Sequence, residues 1–189
     1  HIACVQLPLP AKVRIPMLMN MGAPCTPLVK VGDLVQVGQK IGDTEAPFSV
    51  PVHASVSGTV TAITEILSAN GSTCKAVEIE PDGKQTVSPE VKPPVFSDRA
   101  GFVKAIRESG AVGLGGAGFP THIKLNPKTP IDTLVINGAE CEPYITSDYR
   151  QMVEGPEEII NGIKLIMEQL QIPAYGSQRS SQIVRDISN

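Results

Sequence analysis

The sequence predicts a mixed α+β chain of more than one domain, in which a small all-β module precedes the opening of an α/β domain. Three observations carry this. Period-two alternation with frequent turn residues fills residues 11 to about 87. From Ser97 the apolar spacing becomes helical. A short apolar run, "IDTLVING", then stands between two helical segments and reads as a buried parallel strand.

In the β module, "PLVKVGDLVQVGQKIG" sets Leu28, Val29, Val31, Leu34, Val35 and Val37 around two turns centred on glycine. "VPVHASVSGTVTAI" continues the alternation, with Gly58 placed for a bend or a close backbone approach. "CKAVEIEPDGKQTV" reads as two short strands around a Pro-Asp-Gly turn. Short strands at this spacing make a small barrel or sandwich. The pair "VKVGDLVQVGQKIG" and "HASVSGTV" resembles biotinyl and lipoyl carrier domains, the barrel-sandwich hybrid. Those domains present a modifiable lysine on the hairpin between the two stretches. Here the hairpin is "DTEAPFSVPV", residues 43 to 52, and contains no lysine. Without an amine no prosthetic arm can be attached, so a structural or docking role is expected. His53 reads as a hydrogen-bonded strand histidine.

"SPEVKPPVFS", residues 88 to 97, is expected to run extended, because its prolines disfavour helix and remove ladder donors. "SDRAGFVKAIRESG" predicts a helix capped by Ser97 or Asp98, with Phe102, Val103 and Ile106 on one face and Gly110 as the stop. "GPEEIINGIKLIMEQLQIP" predicts a second helix, opened by Pro156 and two glutamates and ended by Pro173. The expected division is a β domain over 1–90, a linker over 91–97, an incomplete α/β domain over 98–173 and a polar tail over 174–189.

Composition narrows the function. Of 189 residues 41% are hydrophobic, enough for one ordinary core or two small ones; with no Trp, the interior falls to Val, Ile and Leu. A net charge of −3 provides no basic face for nucleic acid. No apolar run approaches the roughly 18 residues of a membrane helix. No signal peptide is visible, and a start at His1 points to a lost N-terminus. Cys4, Cys25, Cys74 and Cys141 stand far apart, which suits reduced thiols and neither zinc nor an iron–sulfur cluster; no metal ligand is assigned.

The chemistry concentrates in "GLGGAGFPTHIKL", residues 113 to 125. Gly113, Gly115 and Gly118 satisfy G-x-G-x-x-G, but a dinucleotide fingerprint must leave a strand and open a helix. Here a helix precedes and Pro120 follows, so that reading fails its own test. Glycines still let backbone N–H groups crowd a phosphate or a flat ring, and Lys124 offers a matching positive charge. The alternative is a mobile surface loop. "NGAECEPYITSDYR" comes next, placing Asn137, Glu140 and Glu142 beyond the end of the expected strand. Asparagine suits a heterocycle edge and carboxylates suit sugar hydroxyls. An ordinary solvated acidic loop reads equally well from residue type alone.

The two stretches together resemble the flavin-binding core of the complex I flavoprotein subunit family. The likeness is greatest to the C subunits of the Rnf complex, the ion-translocating ferredoxin:NAD oxidoreductase, in which a barrel-sandwich domain also comes first. The resemblance covers about residues 8 to 172. It implies an electron-transfer flavoprotein subunit that binds FMN and NAD(H) and passes electrons to iron–sulfur clusters. It also implies a peripheral position on the cytoplasmic side of the bacterial inner membrane. Partners would be the membrane subunits of the complex and ferredoxin-like carriers. By the same resemblance Gly113, Gly115, Gly116, Gly118, Lys124, Asn137 and Glu140 fall among FMN positions, and Phe119 and Glu142 near the nicotinamide nucleotide. Hydride transfer between nicotinamide and flavin needs no protein acid or base, so no catalytic residue is assigned. Against the complex I pattern, Leu114 replaces an arginine, Ala139 an aspartate and Cys141 a serine. Much of the family's later sequence, including its cysteine-rich cluster segment, is absent from these residues. The expectation is therefore a fragment that keeps the fold, binds FMN weakly or not at all, and is inactive alone. A cobalamin reductase-type flavoprotein and a non-catalytic docking domain are the alternative readings.

Overall fold

In the computed structural model of the protein, residues 4–68, 71–114, 116–140 and 142–173 are described. Gly115, Cys141 and the tail over 174–189 lie outside them. By internal contacts Leu7–Asn126 forms one compact unit, and the residues before Leu7 and after Asn126 form another.

In the first unit, strands with one apolar face pair into two antiparallel sheets that bury those faces against each other. β1 (Val13–Pro16), β7 (Thr73–Pro81), β6 (Gly58–Leu67) and β3 (Leu34–Val35) form one sheet in the order β1-β7-β6-β3. β2 (Thr26–Pro27), β4 (Lys40–Asp43) and β5 (Val52–His53) form the other, in the order β2-β4-β5. Ile15, Met17, Ile41, Val60, Val77 and Ile79 fill the core. Alternation sorts the predicted apolar run: Val35 is buried and Val29 partly so, whereas Leu28, Val31 and Leu34 face solvent. The two glycine turns form as expected, with Gly32 at φ 94° and Gly38 at φ 79°. "CKAVEIEPDGKQTV" makes one strand, not two. Beyond the Gly83 turn only Val87 pairs, through an isolated parallel bridge to Val37.

The proline-rich segment after Ser88 has no helix or strand. Helix α1 (Arg99–Glu108) follows, with the Asp98 side chain accepting from Gly101 N at 2.7 Å and Phe102 fully buried. A ring of charges fastens α1 to β4. Arg107 Nη2 donates to Asp43 Oδ1 at 2.8 Å and to the Thr44 carbonyl at 2.7 Å, while its Nη1 reaches Glu108 at 2.9 Å. Lys40 Nζ closes the ring onto Asp43 at 3.0 Å and Glu108 at 2.5 Å. Burial alone would raise the Asp43 pKa, but the bonds from Arg107 and Lys40 outweigh it and hold the carboxyl at about 2.

The second unit carries α3 (Ser147–Glu154) and α4 (Pro156–Gln169). Pro156 opens α4 and Glu157 and Glu158 occupy its first turn, as predicted. The expected strand over residues 131–136 is not formed, and Val135 is 74% exposed. A parallel strand needs ladder partners for its N–H and C=O groups, and among the described residues of this unit no second strand provides them. The start of an α/β layer is therefore represented here by helices and loop.

Two outcomes follow. A Cβ at Gly58 would stand 2.1 Å from the Glu80 carbonyl oxygen. Gly58→Ala should therefore cost about 2–3 kcal/mol, read as a lowered thermal midpoint. Because the Asp43 pKa is depressed, its contribution, roughly 2 kcal/mol, is complete above an ordinary 3.8 and is lost as pH falls toward 2. Thermal melts from pH 5 to 2 should show this decline in the parent and a shallower one in Asp43→Asn.

Candidate functional site

The glycine-rich loop leaves α1 through Ser109 and Gly110, the latter at φ 73°. Its base is closed by two backbone bonds, Gly113 N to Phe119 O and Thr121 N to Ala111 O, both 3.0 Å. These bonds pin the loop at its neck. Among the described residues the amides of Leu114, Gly116 and Ala117 donate to no acceptor. Such unpaired N–H groups suit an anion.

Helix α2 (Thr121–Lys124) follows directly and carries Lys124 back toward the loop. Its Nζ lies 5.5 Å from the Phe119 ring centroid and would be 3.9 Å from a Cβ built on Gly113. A Cβ on Gly116 would meet nothing within 4 Å. Within this unit Gly113, Phe119 and Lys124 thus lie together, while Gly113, Gly116 and Gly118, without Phe119 or Lys124, line one cleft. Gly115 is outside the described residues.

Sequence reasoning missed the other side of this arrangement. Gly118 sits at φ 66° with its Cβ direction blocked by Asn20 Cα and Met19 O, each 3.0 Å away, and its carbonyl accepts from Met21 N at 2.9 Å. Residues 18–22 and the glycine-rich loop together border a cleft of about 590 Å³, a size usual for small-molecule sites. The hairpin that lacks a carrier lysine braces both walls. Phe48 meets Phe119 edge-on at 5.2 Å, and its carbonyl accepts from Ala23 N at 3.1 Å. His122 Nε2 donates to the Pro47 carbonyl at 3.3 Å, which assigns the proton to that nitrogen; burial pushes the His122 pKa down. No local signal marked these contacts, since each joins positions far apart in the chain.

The second unit holds Asn137, Glu140 and Glu142. Asn137 is exposed, accepts from Ala139 N at 3.0 Å, and borders an apolar groove of about 350 Å³ between α3 and α4. Glu140 Oε1 accepts from Tyr149 N at 2.9 Å. This carboxylate caps the first turn of α3, a use that residue type could not reveal. Glu142 is exposed, and its carbonyl accepts from Ile145 N at 3.3 Å. The stretch after residue 146, read as loop, is helix. Cys4 is exposed and Cys25 and Cys74 are buried, all as free thiols.

Comparison with known proteins bears on both units. Residues 2–84 match the RnfC barrel sandwich hybrid domain, and residues 106–175 match the Nuo51 FMN-binding domain. A curated relative from Acetobacterium woodii, the C subunit of its Na(+)-translocating ferredoxin:NAD(+) oxidoreductase complex, is 47% identical over 164 residues. Over most of its length the chain is similar to this family of C subunits. That alignment takes in 84% of the chain and 37% of the relative. The counterpart from the proton-translocating complex of Clostridium ljungdahlii is 40% identical over 173 residues, 87% of the chain and 37% of the relative. The corresponding C subunit of the ion-translocating oxidoreductase complex of Rhodobacter capsulatus is 39% identical over 171 residues, 87% of the chain and 33% of the relative. The chain therefore spans about a third of the length of these family members. The barrel-sandwich fold expected from the sequence is the family's N-terminal domain, without a carrier lysine on its hairpin. Among the described residues no helix is long and apolar enough to cross a membrane.

Gly118→Ala should combine left-handed backbone strain with crowding against Asn20 and lower stability by about 1–3 kcal/mol. Hydrogen exchange in that variant should rise at residues 18–22 and 111–121 before the sheets are affected.

Proposed function

We propose that this chain supplies the FMN-binding glycine loop of an NAD(H)-linked electron-transfer subunit in an ion-translocating ferredoxin:NAD oxidoreductase complex. The observation that carries the reading is the pinned loop at 113–119, with unpaired amides and the Lys124 ammonium beside it. The match of this segment to an FMN-binding domain supports the same ligand. The fit is physical. Bare peptide N–H groups and an exposed cation suit a phosphate, and the open space at Gly116 leaves room for it.

When bound, FMN accepts hydride equivalents and releases electrons singly; the protein holds and orients it. In this reading Gly113, Gly115, Gly116 and Gly118 give backbone contacts, Lys124 gives charge, and Phe119 gives an apolar edge. By the family resemblance Asn137, Glu140 and Glu142 are further nucleotide-contact candidates, and Glu140 also caps α3. No side chain acts as acid or base. The working division is the barrel-sandwich module over 1–90, a linker over 91–97 and the flavoprotein part over 98–173. Electrons pass to iron–sulfur clusters held outside these 189 residues. Membrane subunits of the complex and ferredoxin-like carriers are the partners, on the cytoplasmic face of the membrane.

For these 189 residues by themselves we expect weak, reversible flavin binding. Flavin fluorescence titration at low ionic strength should show saturable quenching. Lys124→Gln should weaken it about tenfold, and added salt should weaken the parent toward the variant. Absence of saturable quenching, or equal binding by parent and variant, would contradict the reading.

A further inference from the structure

The cleft at the glycine-rich loop has a second wall that the assignment above leaves without a role. Leu18, Met19, Asn20 and Met21 come from the β module, immediately after β1. Asn20 is only 8% exposed. Its Nδ2 donates to the Met21 carbonyl at 2.9 Å, while Oδ1 is buried and accepts nothing among the described residues. A buried carbonyl oxygen without a donor is unfavourable unless something else satisfies it. Met19 and Met21 flank it, 52% and 45% exposed, and their unbranched side chains can shift to admit a ligand. Across the cleft stands Leu114, 94% exposed. The wall is thus apolar and adaptable, with one unsatisfied polar atom buried behind its surface that a shift of the methionines would uncover, whereas the loop opposite presents N–H donors.

We propose that residues 18–22 form a ligand-contact wall, and that Asn20 Oδ1 accepts a hydrogen bond from the N–H edge of a flat heterocycle seated between the methionines and the glycine-rich loop. The proposal rests on the nucleotide reading given above and deepens it, giving the β module a direct part in ligand binding. Flavin presents such an edge at its imide, and a nicotinamide nucleotide at its carboxamide. The ring faces suit thioethers and peptide planes; a single acceptor behind the methionines selects the edge that carries a proton.

The test titrates the chain with FMN and, separately, with NADH, following amide shifts by NMR so that weak binding is read directly. Two analogues without the N–H accompany them: FMN methylated at the imide nitrogen, and reduced 3-acetylpyridine adenine dinucleotide. Asn20→Leu should weaken one parent ligand about tenfold and leave its analogue unchanged, which identifies the ring that the wall holds. Met19→Glu, at an exposed position, should weaken the same ligand through repulsion of its phosphates. It carries the decision if Asn20→Leu does not fold. If both variants bind both ligands like the parent while Lys124→Gln weakens them, the wall is not a contact and the inference falls, though the flavin reading stands. If Lys124→Gln is also without effect, or neither ligand binds the parent, both fall.

Discussion

Gly118 lies against the backbone of Asn20 and Met19 so closely that a Cβ would stand only 3.0 Å from each, in a left-handed conformation that glycine adopts without strain. This contact joins the glycine-rich loop to the β module. Without it the loop would remain a neck-closed excursion from α1 facing only water. With it, the same loop becomes one wall of a cleft whose opposite wall is residues 18–22. Glycine thus serves two ends in one stretch: Gly118 permits the approach, and Gly116 borders open space.

The barrel-sandwich module accounts for the rest of this placement. In a carrier domain the hairpin between its two halves exposes a lysine to a modifying enzyme. Here the hairpin turns that exposure into bracing. Asp43 and Thr44 receive Arg107, Pro47 receives His122, and Phe48 packs on Phe119. Without a lysine the tip still has contacts, because the same backbone meets α1 and the segment around the glycine-rich loop. The charge ring among Lys40, Asp43, Arg107 and Glu108 is only partly buried. Its effect is mainly geometric: the directional bonds from Arg107 to Asp43, Thr44 and Glu108 fix an orientation that an apolar patch would leave free to slide.

Much of this was legible in the sequence because it depends on local rules. Asp98 and Gly110 bounded α1, Pro156 opened α4, and Gly32, Gly38 and Gly58 marked turns and a close approach. The family resemblance came from two short stretches, and the matched domains cover the same order of modules. Misreadings arose where the outcome depends on distant partners. Residues 131–136 have the composition of a buried strand, yet a strand exists only with a neighbour to bond. At Glu140 the residue type gave no sign that one carboxylate oxygen also caps the first turn of α3. Asn20 carried no signal at all, since its importance comes from a glycine 98 positions later.

One claim matters most: the glycine-rich loop and the β-module segment before Gly22 are two sides of a single nucleotide cleft. Hydrogen exchange with mass spectrometry, with and without saturating FMN, addresses it most directly. Peptides over residues 16–23 and 111–121 should gain protection together, in the same range of FMN concentration. Protection confined to the loop, or appearing in neither segment, would contradict it.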